Sequence, residues 1–258
     1  MNPEKTEGMV LRVVEFSETS CVVWWFTRDF GRINTLAKGA YRKRNPFEGA
    51  IDLLAISRLV FLSKSSEGLD LLTEARLEHS FRAGRRDLHG LLCGYHLVEL
   101  VTRWFDSHDP HPEFYDSLRD SVRAIDQGGY LPRIVTSMEL RLLSSTGYEP
   151  AWDRCVDCGA TEFAGPRLAF STLDGGVVCS RCRAGRRQIV SVRREIASYL
   201  QRLTRDDREQ AADEPMDKVR GVWGEIRGLM GQVLQHRLGG PLKVLPLLTF
   251  LARNPNPD

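Results

Sequence analysis

The apolar positions of this chain change their period along its length, and the changes divide it. From residue 8 to about residue 80 the runs are short and rich in β-branched and aromatic side chains. They include Met9-Val10-Leu11-Arg12-Val13-Val14, Cys21-Val22-Val23-Trp24-Trp25-Phe26 and Ile33-Asn34-Thr35-Leu36-Ala37. Two polar turns, Ser17-Glu18-Thr19-Ser20 and Asp29-Phe30-Gly31-Arg32, separate them, as between consecutive strands. Further runs at 55–63 and 69–77 flank Lys64-Ser65-Ser66-Glu67-Gly68. Five short strands at this spacing predict a small barrel or sandwich, with an OB-type barrel as one candidate.

Over residues 87–145 the spacing becomes helical. Leu88, Leu91, Leu92, Tyr95, Thr102 and Phe105 form one stripe, Phe114, Leu118, Val122 and Ile125 a second, and Ile134, Met138 and Leu142 a third. Each is expected to face a core, and Gly147 with Pro150 marks a stop. Residues 151–187 lose this period. It returns in Val192, Ile196, Leu200 and Leu203, then in Val219, Trp223, Ile226, Met230 and Val233. The stretch 204–217 carries six acids against two arginines and reads as a solvated linker, and the tail after Arg253 as disordered. The expected architecture is α+β, with a β barrel at 1–80, a helical domain made of 81–150 and 188–252, and an inserted segment at 151–187.

Composition changes this picture little. With 42% hydrophobic and 27% charged residues in 258, the chain is an ordinary folded one. Without a long apolar stretch or a signal-peptide core, the expected place is the cytoplasm. A reducing compartment makes paired cysteines more apt to hold metal than to form disulfides.

The six cysteines sharpen the reading. Cys155-Val156-Asp157-Cys158 and Cys179-Ser180-Arg181-Cys182 enclose 20 residues, the C-x2-C…C-x2-C pattern of a structural zinc. Two residues between cysteines let a tight turn aim both sulfurs at one ion, and Gly159 gives that turn freedom. A turn at Asp174-Gly175-Gly176, between Arg167-Leu168-Ala169-Phe170 and Val177-Val178, predicts a hairpin that returns the second pair to the first. Four thiolates leave no open coordination position, so the ion is expected to be structural. Two disulfides, or four reduced thiols, are the alternatives. Cys21 and Cys93 sit in apolar patterns as small core residues, and His108 and His111 read as loop histidines.

The formal net charge is only +2, so its distribution matters more than its sum. Arg28, Arg32, Lys38, Arg42, Lys43 and Arg44 fall within 17 residues that hold one acid, Asp29, with Tyr41 among them. Arg181, Arg183, Arg186, Arg187, Arg193 and Arg194 cluster after the second cysteine pair. Cations follow a phosphate backbone while aromatic faces stack on unpaired bases, so Arg28, Arg32, Lys38, Tyr41, Arg42, Lys43, Arg44, Arg181, Arg183, Arg186 and Arg187 are candidate DNA contacts. Solvated loops are the competing account. Alternation puts Trp24 and Trp25 on opposite faces of one strand. No phosphate-binding loop, zinc-protease helix or serine-nucleophile motif occurs, and the expectation is a protein that is not an enzyme.

In this order the features resemble the RecO family of recombination mediators. The resemblance runs through Gly8-Met9-Val10-Leu11, Gly31-Arg32-Ile33, Lys38-Gly39-Ala40-Tyr41-Arg42, Leu71-Leu72-Thr73-Glu74-Ala75 and Glu113-Phe114-Tyr115, then through residues 134–143. It continues through Thr146-Gly147-Tyr148-Glu149-Pro150, the four cysteines and Phe170-Ser171. Tyr41 stands where that family commonly has a basic residue. The resemblance implies an OB-fold domain, a helical domain and a zinc segment. It also implies binding of single- and double-stranded DNA, annealing of complementary strands, and work with RecR in loading RecA onto strands coated by single-stranded-DNA-binding protein. The acidic, phenylalanine-ended tail of that coating protein is a further implied partner, with Arg133 and Arg141 as candidates beside it. A zinc-ribbon interaction or transcription module without annealing activity, and a nuclease, are the rival readings.

Overall fold

The computed structural model describes residues 3–43, 45–64, 68–204 and 221–252. Two compact units result, Met1–Gly129 and Tyr130–Asp258. The expected linker from residue 205 onward, the tail after Arg253, and the candidates Arg44 and Val219 lie outside the described residues.

The first unit opens with five strands: β1 (Pro3–Ser17), β2 (Ser20–Thr27), β3 (Gly31–Ala37), β4 (Ile56–Leu62) and β5 (Asp70–His79). They close into a barrel in the order β1-β2-β3-β5-β4, antiparallel throughout except where β3 meets β5. This is the five-stranded barrel of the OB fold. Closure depends on β1 pairing on both sides, residues 3–9 with β4 and 8–17 with β2. The sequence pattern missed residues 3–7 because their apolar content is low; cross-strand pairing to β4, not hydrophobicity, makes them a strand. At the changeover a Cβ on Gly8 would come within 2.8 Å of Leu59 Cδ1, so a side chain there would push into the barrel.

Val10, Cys21, Val23, Trp25, Ile33, Leu59, Phe61 and Leu72 fill the interior. Trp25 is wholly buried, and its indole N–H donates to Thr35 Oγ1 at 2.8 Å, so a fully enclosed polar atom is satisfied. The β2–β3 turn is held by the Thr27 hydroxyl, which donates to Gly31 O at 2.8 Å and accepts from Phe30 N–H. Gly31 has φ +64°, and a Cβ there would lie 2.2 Å from the Asp109 carbonyl oxygen.

Three helices follow: α1 (Ala83–Arg86), α2 (Leu88–Trp104) and α3 (Pro112–Asp126). Asp87 caps α2 by accepting from the N–H groups of His89 and Gly90, leaving fewer orphan donors at that end. Phe26 points out of the barrel and packs on Phe105, Phe114 and Tyr115 at 5.3–6.0 Å between ring centres. The stripe predicted on α3 is the buried one. On α2 the expectation holds only in part: Phe105 is buried and Leu91, Leu92 and Thr102 half-buried, but Leu88 and Tyr95 are exposed, and Gly90, Cys93, Gly94, Leu97, Leu100 and Val101 are buried. Glycine explains the rotation. Gly94 lies so close to Leu54 and Phe81 that a Cβ would meet them at 2.5 and 3.0 Å, so the small-residue face turns inward.

The second unit holds α4 (Leu131–Ser145), β6 (Arg167–Ser171), β7 (Gly176–Val178), β8 (Ile189–Arg193), α5 (Arg194–Thr204), α6 (Val222–Leu238) and a 3-10 segment (Leu245–Ala252). The strands form an antiparallel sheet in the order β7-β6-β8. Ile196, Leu200 and Leu203 on α5 and Trp223, Ile226, Met230 and Val233 on α6 are buried, as their spacing predicts. Glu139 on α4 and Arg227 on α6 form a buried two-pronged ion pair at 2.6 and 2.8 Å, which periodicity could not announce. Among the described residues no helix is long and apolar enough to cross a membrane.

Candidate functional site

The four cysteines converge within the second unit. The β6–β7 hairpin turns where Asp174-Gly175-Gly176 predicts, with Gly175 at φ +75°, and delivers Cys179 opposite the first pair. All four sulfurs lie within 4.8 Å of one another, and Cys158 Sγ is 3.7 Å from Cys179 Sγ. Sulfurs about 2.3 Å from one tetrahedral ion would stand about 3.8 Å apart, so this spacing fits a closed thiolate site. Each cysteine is free, so the two-disulfide alternative does not describe this fold.

Backbone dipoles already favour thiolates here. Gly159 at φ +71° lets the first loop fold back, with its N–H on Cys155 O at 2.9 Å, and the Cys179 N–H points at Cys155 Sγ from 3.4 Å. Burial pushes the Cys155 thiol up, but N–H groups of Cys158, Cys179 and Asp157 outweigh it and bring it down to about 6. The backbone of Cys182 lowers Cys179 in turn, whereas hydrogen bonding to Cys179 and Cys158 pushes Cys182 up to about 12. One anion thus forms readily while its neighbour keeps its proton.

Arg186 is built into this cluster. Its guanidinium pairs with Asp157 from the first cysteine loop and with Asp174 from the hairpin turn, and its Nε–H donates to Cys182 O at 2.9 Å. One side chain therefore ties both halves of the site together. Of the other candidates there, Arg181, Arg183 and Arg187 are exposed and have no carboxylate partner among the described residues. Arg193 is held by Glu225 and Glu195, and Arg194 by the carbonyls of Phe163 and Gly165.

The barrel cluster sorts in the same way. Arg32 is a tether, donating to the backbone carbonyls of Thr102 and Phe105, the latter at 2.8 Å. Arg28 pairs with Asp116 at 3.1 Å and Asp29 at 3.5 Å, and both carboxylates raise its already high pKa. Lys38, Arg42 and Lys43 are exposed with no such partner among the described residues, and Tyr41 between them is 48% exposed. Of the two adjacent tryptophans Trp25 is the enclosed one. Trp24 faces outward, paired across the strands with Arg12, whose guanidinium lies 5.4 Å from the indole centre. Arg12 escaped the sequence reading: Val10 faces the barrel interior, so strict alternation would turn Arg12 inward with it, and the register irregularity between the two turns it outward instead.

His111 hydrogen-bonds Asp109 at 2.9 Å and packs on Phe105, and His108 donates its N–H to Arg32 O, so both serve the α2–α3 loop.

Comparison with known proteins gives a consistent result. The family description "Recombination protein O N terminal" matches residues 1–81, and "Recombination protein O C terminal" matches residues 85–246. The chain is similar to "DNA repair protein RecO" of Rhodopirellula baltica, with 32% identity covering 93% of this chain and 97% of that one. It is similar to the protein of the same description from Anaeromyxobacter dehalogenans, 30% identical over 93% of each chain. The Bacillus pumilus protein so described is 33% identical over 69% of this chain and 68% of its own.

Proposed function

Because the chain belongs to the RecO family and so to DNA repair and recombination, we propose that it binds single- and double-stranded DNA and anneals complementary strands. In this reading it also acts with RecR to load RecA onto strands coated by single-stranded-DNA-binding protein, whose acidic tail recruits it. It is not an enzyme; its work is electrostatic and geometric. Two complementary strands repel through their phosphates, and a protein surface that neutralises some of them lowers that repulsion while the bases stay free to pair. The working cations are Lys38, Arg42, Lys43, Arg181, Arg183 and Arg187, while Arg28, Arg32 and Arg186 hold the fold. The setting is the cytoplasm, at the nucleoid.

The observation that carries this reading is the division among the arginines. The ion-paired ones fasten loops, and the unpaired ones are exposed on a five-stranded barrel of OB order and beside the cysteine cluster. Zinc suits the four-sulfur donor set, which favours tetrahedral coordination. Bound by Cys155, Cys158, Cys179 and Cys182, it would supply no reactive chemistry, only a crosslink that fixes the loop carrying Arg181 and Arg183.

The test is annealing of complementary strands precoated with the cognate coating protein. Acceleration over the protein-free rate supports the proposal. Tight binding without acceleration would instead favour the zinc-ribbon interaction module.

A further inference from the structure

The exposed Tyr95 has a use that the helical pattern concealed. It lines, with Val98 of α2, a hollow of about 580 Å3 whose other walls are Leu11, Arg12 and Val13 of β1, Ala40, Tyr41 and Asn45, and Gly49 with Ile51, Asp52 and Leu53. That volume falls within the range of about 300–1,000 Å3 common for small-molecule sites. Tyr41 and Tyr95, 48% and 40% exposed, bring two aromatic rings to it. Both are held in place. Gly94 seats α2 against Leu54 and Phe81 directly beside Tyr95. The Tyr41 N–H donates to Thr19 O at 3.2 Å, which anchors its backbone.

The charge around the hollow identifies its occupant. Arg12 forms part of the wall and reaches from it to the face of Trp24. Lys38, Arg42 and Lys43 flank Tyr41 in sequence, exposed. The acid of the lining, Asp52, lies 3.8 Å from Arg85 of α1, so its charge is offset. An apolar, aromatic cavity bordered by cations fits a nucleotide, whose base is flat and apolar-faced and whose phosphate is anionic.

We propose that this hollow receives an unpaired base of single-stranded DNA, stacked against Tyr95 and Tyr41, while Arg12, Arg42 and Lys43 hold the flanking phosphates. The inference rests on the DNA-binding reading and adds to it a base site in which Tyr95 of α2 joins the barrel cation cluster. A protein that holds a base out of the strand in this way distinguishes single strands from duplexes, where every base is already stacked.

The test uses the full chain, an oligothymidylate, a strand of equal length with abasic residues, and a duplex. Replacing Tyr95 by Ala should weaken oligothymidylate binding about tenfold, the scale of one lost stacking partner. Duplex and abasic-strand binding should stay within about twofold of the parent, which also shows that the variant is folded. Tyr95→Phe keeps the ring and should restore the affinity. Unchanged oligothymidylate binding in Tyr95→Ala overturns the proposal, as does an equal loss on all three probes. Retained oligothymidylate binding with loss of an acidic, phenylalanine-ended peptide would reassign the hollow to a peptide. Failure of the unmodified protein to bind any of the three DNA probes would sink the DNA reading itself, a result distinct from failure of the hollow alone.

Discussion

The buried pair between α4 and α6 gives a prediction whose size follows from its surroundings. Glu139 is fully enclosed and Arg227 is 8% exposed, with two short bonds joining them. Charges taken out of water cost several kcal/mol each, and their mutual attraction roughly repays that only while both are present. Arg227→Met takes both guanidinium bonds from the enclosed carboxylate and should cost about 3–5 kcal/mol. At about 3 °C per kcal/mol for a chain of this size, the midpoint should fall by about 9–15 °C. Adding Glu139→Leu removes the carboxylate as well, and the double variant should recover to within about 1 kcal/mol of the parent. Because the cysteine cluster lies in the same unit, release of metal to a chromophoric chelator during heating reports on that unit separately from the barrel. A loss below about 1 kcal/mol in Arg227→Met would refute this reasoning. So would a double variant as weak as the sum of the two singles, because the pair would then not act as a unit.

Other expectations follow from the same structure. Cys155→Ser should leave the protein with well under one equivalent of zinc by elemental analysis, against about one in the parent. For Cys155, a folded pKa of about 6 against the ordinary 9 means that the thiolate is present at neutral pH and is lost as pH falls through about 6. Metal retention, followed by chelator competition, should therefore weaken steeply below that point; retention unchanged down to pH 4 would contradict it. Gly31→Ala combines a left-handed φ with a backbone clash, and should cost more than about 1 kcal/mol in denaturant unfolding.

The sequence and the structure agree most where side-chain size alone carries the signal. The strand runs, the α3 stripe and the cysteine spacing are of this kind, since each reflects a local period or a fixed reach. Agreement fails on α2, where Gly90 and Gly94 make a contact face that no count of large residues detects, and where Tyr95 consequently turns outward. It fails again at the cation clusters. Six basic residues within 17 positions look alike in sequence, yet Arg32 ends on two carbonyls and Arg28 on a carboxylate of a helix 88 residues away, while Arg42 and Lys43 have no such partner among the described residues. Arg186 shows the same effect beside the cysteines. Whether a charge is structural depends on partners distant in sequence, and composition is blind to them. Arg12 was hidden for another reason, because the register irregularity after Val10 turns outward a position that strict alternation assigns to the interior.

The most direct measurement is the salt dependence of single-strand binding by the parent and by an Arg42→Glu, Lys43→Glu variant. Each phosphate contact contributes about 0.7 to the slope of log affinity against log salt. Loss of two contacts should therefore flatten the slope by about 1.4 and weaken binding most at low salt. An identical slope in both proteins would mean that these exposed cations do not meet DNA, and the account would fail at its centre.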